Sequence, residues 1–275
     1  MKIATQGIEA SFHSMAVRRI FKSDAEILFC TTFKEVFEKL NSHAADRAVV
    51  AIENSLYGTI HDVHELLLTH PFTICGEIYE EIGLHLLGVK DSTIADIKHV
   101  YSQAPALGEA SVFLEEKLHT VEKHEYADTA LAARDVAQWG DKSKAAIASR
   151  AAAELYGLSV LHENIETHHE NFTRFIALSR EDIPQASANK TSVVFQTPDI
   201  PGALHKALGV FADAGVNLSK LESRPIIGKA WRYRYFVDFN YEPGTNTVEI
   251  IEQLKNHATD IRVLGNYPRG AYLAA

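Results

Sequence analysis

The sequence has 275 residues, 46% of them hydrophobic, and a formal net charge of −9 at pH 7. The length predicts about two domains, and the negative charge argues against nucleic acid as a partner because phosphate binding needs a basic face. No apolar run reaches the roughly 18 residues of a membrane span, and the start "MKIATQGIEA" lacks the form of a signal peptide. The two cysteines lack CxxC spacing, which indicates a reducing compartment. We therefore expect a cytoplasmic protein with no membrane partner.

Short apolar strands alternate with amphipathic helices in the first part of the chain. Strands are predicted at residues 2–5, 48–52, 98–101 and 145–148. Apolar residues at helical spacing follow each strand, at Phe12, Met15, Ala16 and Ile20, at Val63, Leu66 and Leu67, at Ala106, Ala110, Phe113 and Leu114, and over residues 149–156. This pattern predicts an α/β domain with a mostly parallel, doubly wound sheet.

The chain changes character at the polar stretch "SREDIPQASANK", residues 179–190, which we interpret as a linker. The elements predicted after it are a strand at 191–197, a helix at 201–214, strands at 216–226 and 230–240, a helix at 246–258 and a strand at 260–267. This βαββαβ order predicts a ferredoxin-like domain.

Polar residues cluster where the predicted strands of the first domain end and helices begin. They are Ser11, then Glu53, Asn54 and Ser55, then Ser102, then Asp128 or Thr129. Each cluster alone is more often plain helix capping. Together they offer many neutral donors and few charges, which suits binding a small anion better than nucleophilic catalysis.

Motifs for metals and cofactors are weak. His61 and His64 lie one helical turn apart, but no third ligand is evident and HExxH is absent. There is no GxGxxG, P-loop or GxSxG motif, so we expect no cofactor and no metal.

Several motifs in a fixed order identify a family. They are "KIATQGIEASFHSMA", "VVAIENSLYGTIHDV", "DTALAA", "AAIASRAAAELYGLSVL", "NFTRF" at 171–175, "PGALHKAL" at 201–208 and "LESRP" at 221–225. With them the chain resembles monofunctional prephenate dehydratase with a C-terminal ACT domain, in which no chorismate mutase segment is expected before Met1. The resemblance implies a catalytic domain at 1–180 with two lobes like those of periplasmic binding proteins, one at about 1–75 and 164–180 and one at about 76–163. The ACT domain would be 190–275.

The resemblance also implies the activity. The family converts prephenate to phenylpyruvate, water and carbon dioxide, without a cofactor. Phenylalanine is a feedback inhibitor bound at ACT–ACT interfaces, which implies a homodimer or a homotetramer. Arogenate dehydratase and a non-enzymatic small-molecule sensor remain the alternatives.

Site residues carry over from the family position by position. The catalytic set would be Thr173, Glu53, Asn54 and Ser102. The substrate-binding set would be Ser11, Ser55, Arg174, Phe175, His85 and Thr129. The effector set would be Gly202, Ala203, Leu204, Glu222, Ser223, Arg224 and Pro225. His85 could equally be a core histidine.

The chain departs from the family pattern near Ser102. It reads Ser102-Gln103-Ala104-Pro105 where many members read Ser-His-Pro-Gln, and Glu109 stands where a glutamine is often found. A carboxylate at position 109 would lie near an anionic substrate with a raised pKa, unless this residue is simply exposed on a helix.

The chemistry and the strand period constrain the roles of Thr173 and Arg174. A threonine is too weak an acid to supply a proton freely, so Thr173 is better interpreted as a hydrogen-bond donor to the departing hydroxyl. The ring carboxylate must leave as carbon dioxide, so a cation should hold the pyruvyl carboxylate instead. Neighbouring side chains of a strand point to opposite faces, so Arg174 either reaches around to the substrate or braces the lobes.

Overall fold

The computed structural model describes residues 1–21 and 25–274. The chain forms two compact units. The first comprises residues 1–70, 78–177 and 271–275, and the second comprises residues 71–77 and 178–270.

The first lobe of the first unit alternates strands and helices as predicted. Its elements are β1 (Lys2–Gln6), α1 (Phe12–Phe21), β2 (Glu26–Cys30), α2 (Phe33–Asn41), β3 (Arg47–Asn54), β4 (Gly58–Thr59), α3 (His61–Thr69) and β5 (Thr73–Glu81). Strand β1 pairs in parallel with both β2 and β3. The sheet buries Ile3 and Val49, and the helices bury Phe37 and Leu67.

Helix α2 shows how local sequence sets these elements. The hydroxyl of Thr32 accepts from the amide of Glu35 and so caps the first turn. Val36, Phe37 and Leu40 recur at helical spacing and are fully buried, which fixes the face that packs on the sheet.

The second lobe is a smaller mixed sheet. Its elements are β6 (His85–Gly88), a 3₁₀ turn (Ile94–Asp96), β7 (His99–Ser102), α4 (Ala104–Glu109), α5 (Ser111–Lys117), β8 (Glu122–Glu125), α6 (Thr129–Trp139), β9 (Lys144–Ala148), α7 (Arg150–Tyr156) and β10 (Ser159–His162). The strand order is β10-β6-β9-β7-β8, with β7 parallel to β8 and β9, and β6 antiparallel to β9 and β10. The chain then returns to the first sheet as β11 (Phe172–Ser179).

One predicted helix is broken. The apolar pattern from Ala106 to Leu114 predicts one helix, but α4 ends at Glu109 and α5 begins at Ser111. The backbone amide and the hydroxyl of Thr167 both donate to the carbonyl oxygen of Glu109, each at 2.8 Å. That carbonyl is therefore engaged outside the helical ladder, which accounts for the break.

The second unit has the predicted βαββαβ order. Its elements are β12 (Lys190–Gln196), α8 (Ala203–Asp213), β13 (Asn217–Pro225), β14 (Tyr233–Asn240), α9 (Thr247–Leu254) and β15 (Thr259–Tyr267). The sheet is antiparallel with the order β13-β14-β12-β15. Its core joins Phe195 and Phe239 of the sheet to Phe211 of α8 and Leu254 of α9.

The predicted lobe and domain boundaries need correction. The boundary of the first lobe was predicted at 75/76, but β5 continues to Glu81 within the first sheet, whose order is β16-β5-β11-β3-β1-β2 once the short strand β16 (Tyr272–Leu273) is included. Residues 76–81 therefore do not belong to the second lobe.

Two short segments belong to a different unit from the one that the predicted domain boundaries gave them. Residues 271–275 group with the first unit, because Tyr272 stacks on Tyr79 with 4.5 Å between ring centroids. Residues 71–77 group with the second unit, where the buried ammonium of Lys190 contacts both carboxylate oxygens of Glu77 at 3.0 Å.

The fold class predicted from the sequence is confirmed in its main features. The first unit is a two-lobed α/β domain in which the chain crosses between lobes twice, after β5 and after β10, as in periplasmic binding proteins. Across residues 1–21 and 25–274, helices of the length and hydrophobicity needed to cross a bilayer are absent.

Candidate active site

A cavity of about 480 Å³ lies between the two lobes of the first unit. This is the size of an ordinary small-molecule site. Strands β1, β3 and β11 of the first lobe contribute Gln6, Ala51, Asn54, Thr173 and Phe175 to its lining. From the second lobe, Gln103, Pro105, Ala106, Glu109, Asp128 and Thr129 line it.

The described lining of this cavity is acidic and neutral. Among the described residues around this cavity there is neither lysine nor arginine, and the acidic ones are Asp62, Glu109 and Asp128. The first turns of α1, α2, α3 and α6 line the cavity instead. The amides and dipoles at helix N-termini stabilise an anion without a cation.

Thr173 is held in place by Asn54. The Asn54 Nδ2 group donates to Thr173 Oγ1 at 3.1 Å and to Asn171 Oδ1 at 2.8 Å. Its Oδ1 accepts from the backbone amides of Leu56 and Tyr57, both at 2.9 Å, which fixes the orientation of the amide. Because Thr173 Oγ1 accepts from Asn54, its own hydrogen is left to donate into the cavity.

Glu109 extends this network from the other lobe. Its Oε2 accepts from Asn171 Nδ2 at 2.7 Å, and the side chain is only 8% exposed. Burial raises the pKa of Glu109 to about 7, although the hydrogen bond from Asn171 lowers it and the charge of Glu166 adds to the rise. The alternative of an exposed helix residue is therefore wrong, and a raised pKa is confirmed.

Arg174 and Glu53 lie together away from the cavity lining. Arg174 is buried, and its Nη1 lies 3.7 Å from Glu53 Oε2. Its neighbours Thr173 and Phe175 line the cavity, whereas Arg174 and Glu53 are absent from the described lining residues. The predicted alternation of the strand therefore holds.

The hydroxyls of Ser11 and Ser102 are engaged by the backbone. Ser11 Oγ accepts from the amide of Ser14 at 3.2 Å and caps α1, and Ser102 Oγ donates to the carbonyl of Ile147 at 2.7 Å. Both side chains are buried, and neither is among the described lining residues. They shape the strand ends that were predicted to contact substrate.

Ser55 has the same kind of role. Its Oγ donates to the carbonyl of Glu170 at 3.1 Å and accepts from the amide of Phe172 at 2.9 Å. Its own amide donates to the carbonyl of Phe172 at 2.8 Å. Ser55 thus fastens the start of β11 to the end of β3, and it is absent from the described lining residues.

His85 faces a different cavity. Its Nδ1 accepts from the amide of Asn164 at 3.1 Å, and it lines a second cavity of the first unit together with Glu166 and His169. Burial and then the charge of Arg150 lower the pKa of His85, so the ring is neutral at pH 7.

Thr129 lies in the cavity lining beside the cap of its own helix. Asp128 Oδ1 accepts from the amides of Ala130 and Leu131 at 2.8 and 3.1 Å. The sequence left open whether Asp128 or Thr129 is the cap, and Asp128 is the residue that caps. Burial raises the pKa of Asp128, while its two backbone hydrogen bonds lower it.

His61 and His64 do not form a metal site with a third ligand among the described residues. His64 is buried, and its Nδ1 lies 3.2 Å from the carbonyl oxygen of Ile60.

Comparison with known proteins settles the family. A family model for prephenate dehydratase matches residues 3–183, and an ACT domain model matches residues 191–256. The chain belongs to the prephenate dehydratase family. This confirms the resemblance carried by the motifs.

Individual members of the family resemble the whole chain. The bifunctional chorismate mutase/prephenate dehydratase of Aquifex aeolicus is 37% identical over 98% of this chain and 74% of its own length. Arogenate dehydratase 2 of Petunia hybrida is 37% identical over 100% of this chain and 73% of its own.

Two solved structures have the same fold. The prephenate dehydratase of Arthrobacter aurescens in complex with L-Phe has a TM-score of 0.87, with 28% identity over 98% of this chain and 90% of its own. The quorum-quenching acylase GqqA has a TM-score of 0.86, with 32% identity over 98% of both chains.

In this prephenate dehydratase family member, the predicted effector residues divide between two faces of the ACT sheet. Gly202, Ala203 and Leu204 line one cavity of the second unit, and Leu204 and Ser223 line a neighbouring one. Glu222 and Arg224 are absent from the described lining of both cavities; Glu222 carries ion pairs with Lys220 and Arg224 at 3.1 and 3.9 Å. Pro225 lies exposed at the end of β13.

Two cleft residues of this family member were not predicted. His13 lines the cavity, its Nε2 accepts from the amide of Ala51 at 3.3 Å, and burial lowers its pKa to about 4. Asn171 is fully buried and connects Asn54 to Glu109. Both residues lie within motifs that carry the resemblance, His13 in "KIATQGIEASFHSMA" and Asn171 at the start of "NFTRF", but a motif gives no partner for either side chain.

Proposed function

We propose that this protein catalyses the decarboxylating dehydration of prephenate to phenylpyruvate. The observation that carries the proposal is a cleft that holds Thr173 by a fixed amide, presents helix N-termini and has no cation among its described lining residues. In this reaction the ring C–O bond breaks and the oxygen leaves as hydroxide, taking up a proton to become water. The bond to the ring carboxylate also breaks, its electron pair completes the aromatic ring, and carbon dioxide departs.

Each feature of the cleft supports one part of that reaction. The Thr173 hydroxyl would donate to the departing oxygen, as predicted from its chemistry. The helix N-termini would hold the pyruvyl carboxylate, a role that the sequence had given to a cation. With no cation among the described lining residues, the ring carboxylate is left unclamped, which favours its loss as carbon dioxide. Two cysteines outside any disulfide framework support a cytoplasmic location for the reaction.

Parallel assays of the purified protein with prephenate and with arogenate test this proposal. We expect formation of phenylpyruvate from prephenate at a kcat/KM above that for arogenate. Arogenate dehydratase is the second candidate, because arogenate carries an ammonium group and Asp62, Glu109 and Asp128 line the cavity. A higher kcat/KM for arogenate would replace the first proposal with the second.

N-Acyl-homoserine lactone acylase activity is a third activity to assay, because one structural relative is named a quorum-quenching acylase and one sequence relative a bifunctional N-acyl-homoserine lactone acylase/prephenate dehydratase. A hydroxyl nucleophile needs an adjacent base. The recorded partner of Thr173 Oγ1 is the amide group of Asn54, which is not a base, so the geometry favours dehydration.

We propose that L-phenylalanine binds the ACT domain as a feedback inhibitor. The support is the ACT match, the L-Phe complex of the Arthrobacter aurescens relative, and the cavities at Gly202 and Leu204. Inhibition of prephenate turnover by L-phenylalanine, measured against D-phenylalanine, tests this regulation.

We also propose a homodimer or homotetramer assembled through the ACT domain. Strand β13 is at the edge of its sheet and exposes Leu221, with Tyr233 exposed on the next strand. A long edge strand with apolar residues exposed needs a partner or pairs nonspecifically. Light scattering after size exclusion should give a multiple of the 30.5 kDa chain, and Leu221→Lys should shift it towards the monomer.

A further inference from the structure

Three metal-binding side chains gather on one face of the second lobe's sheet. Strands β7 and β8 pair in parallel with His99 opposite Glu122. His124 follows Glu122 by two residues, so the strand period puts it on the same face. This cluster uses β-strand positions, which hold side chains more rigidly than loops.

The three side chains converge with one atom each. His99 Nδ1 lies 3.2 Å from His124 Nε2 and 3.3 Å from Glu122 Oε2, and His124 Nε2 lies 3.7 Å from the same Glu122 oxygen. Ligand atoms about 2.1 Å from a tetrahedral zinc ion are separated from each other by about 3.4 Å. The observed triangle has that size, so a single ion could contact all three atoms without rearrangement.

We propose that His99, Glu122 and His124 bind one divalent transition-metal ion of the zinc type. Two imidazoles and one carboxylate suit zinc and its neighbours, whereas magnesium and calcium prefer oxygen ligands alone. The side chains of all three residues are partly exposed, so an ion has direct access and a fourth position is left for water.

The surroundings of the cluster hold it in this geometry. The ring of His124 stacks on Tyr101 at 4.5 Å and 14°, and Tyr101 packs against Trp139. Lys144 of β9 lies opposite His99 of β7 in the sheet register. Its ammonium lies over the Trp139 ring at 4.5 Å and 3.6 Å from Asp141 Oδ2, so it is engaged elsewhere.

The ion would join two strands of the second lobe. Strand β8 is the edge strand of its sheet and pairs with β7. His99 comes from β7, and Glu122 and His124 come from β8, so an ion would tie the edge strand to its neighbour. The cluster residues are absent from the described lining of the active-site cavity, which makes this a site separate from the dehydration chemistry.

Zinc titration of the full chain at neutral pH, in competition with a chromogenic chelator, tests the proposal. We expect one zinc ion per chain and at least a tenfold loss of affinity in His124→Ala, since even outer-sphere changes cost about that much. The matched control is His119→Ala, which removes an exposed histidine of the same lobe and should leave the affinity within about twofold.

A second variant and a second measurement keep the test independent of folding. Glu122→Gln changes an exposed side chain and should also weaken zinc binding, while zinc should raise the melting temperature of the wild type but not that of His124→Ala. Failure of the wild type to bind zinc would overturn the proposal. Equal affinity in wild type and Glu122→Gln, or equal losses in His124→Ala and His119→Ala, would overturn it as well.

Discussion

At the residue scale, the hydrogen bonds of Thr173 decide what it can do. Its oxygen accepts from Asn54 and its hydrogen is available to the cavity, so it is a donor positioned by a fixed amide. Its neighbour Arg174 is buried beside Glu53 instead. Two adjacent polar residues of one motif therefore have separate surroundings.

Removing the Thr173 hydroxyl should mainly lower turnover. Loss of one positioned donor typically costs about 10² to 10³ in kcat. We expect Thr173→Ala to lose roughly that factor in steady-state assays with prephenate, while Thr173→Ser, which keeps the hydroxyl, retains most activity. An Ala variant with near-normal kcat would contradict the donor role.

Glu109 should make the reaction sensitive to pH near neutrality. Its pKa is raised to about 7, so it is neutral below that pH and a carboxylate above it, where it repels an anionic substrate. We expect kcat/KM for prephenate to fall as pH rises through about 7. Stability should change in the same direction as kcat/KM. Because the pKa of Glu109 is higher in the folded state than in the unfolded chain, the free energy of unfolding falls as pH rises from the ordinary pKa of a glutamate to about 7.

The matched variant for that profile is Glu109→Gln. By the resemblance a glutamine is often found at this position, and a glutamine side chain does not titrate. Glu109→Gln should remain active with the inflection near neutral pH removed, as measured by pH–rate profiles. If the inflection is unchanged in Glu109→Gln, it arises from another group. Glu80 is one such group, because burial also raises its pKa to about 7.

At the element scale, the turn after β1 brings two helix starts together. Gly7 has φ of +100°, and a Cβ there would lie 2.9 Å from both Asp128 Oδ2 and Ser11 Oγ. Those two residues cap α6 and α1, so the glycine lets both caps approach the same backbone.

Gly7→Ala should therefore destabilise more than an ordinary glycine substitution. Strain at such a backbone conformation costs about 1–3 kcal/mol, to which the contact with Asp128 and Ser11 adds. The control is Gly140→Ala, which has φ of +63° and nothing within 4 Å of its added Cβ. Denaturant unfolding should show the larger loss for Gly7→Ala, and equal losses would contradict the close approach.

At the scale of the whole molecule, the two lobes of the first unit are joined across the cavity. The hydroxyl of Tyr57 donates to the carbonyl of Pro105 at 2.8 Å, and both residues line the cavity. This contact spans from the loop after β3 to helix α4, so it ties the two lobes together across the cavity.

Tyr57→Phe should weaken this tie between the lobes. One hydrogen bond contributes about 1 kcal/mol, which corresponds to roughly a fivefold change in an equilibrium constant. We expect KM for prephenate to rise by about that factor with a smaller change in kcat. The control is Tyr126→Phe, which removes the hydroxyl bonded to Asp135 of the second lobe; a similar KM in wild type and Tyr57→Phe would rule out this role.

Binding of L-phenylalanine should stabilise the protein as a whole. A ligand at a hundred times its Kd adds about 2.7 kcal/mol to the free energy of unfolding. Thermal melts should rise with L-phenylalanine and not with D-phenylalanine, and Leu204→Glu, within the ACT cavities, should abolish the shift. The control is Val248→Glu, an exposed position of α9 that should preserve it.

The sequence by itself determined the βαββαβ order of the second unit, the family and the opposite orientation of Thr173 and Arg174. These features are encoded locally, in the helix and strand periods and in short motifs. The same alternation separates Glu222 and Arg224 from Ser223, although the family motif treats them as one set. The strand period indicates which face of the sheet a side chain lies on, but it does not indicate which residue that side chain contacts.

Only the tertiary structure decided which polar groups remain available to a ligand. The hydroxyls of Ser55 and Ser102 donate hydrogen bonds to backbone carbonyls 115 and 45 residues away in the sequence. The side chain of Asn54 donates to that of Asn171, which is 117 residues away. Burial, and with it the raised pKa of Glu109 and the lowered pKa of His13, likewise depends on distant segments packing around a side chain. A hydrogen bond or a desolvated charge depends on neighbours in space, and those neighbours exist only once the chain has folded.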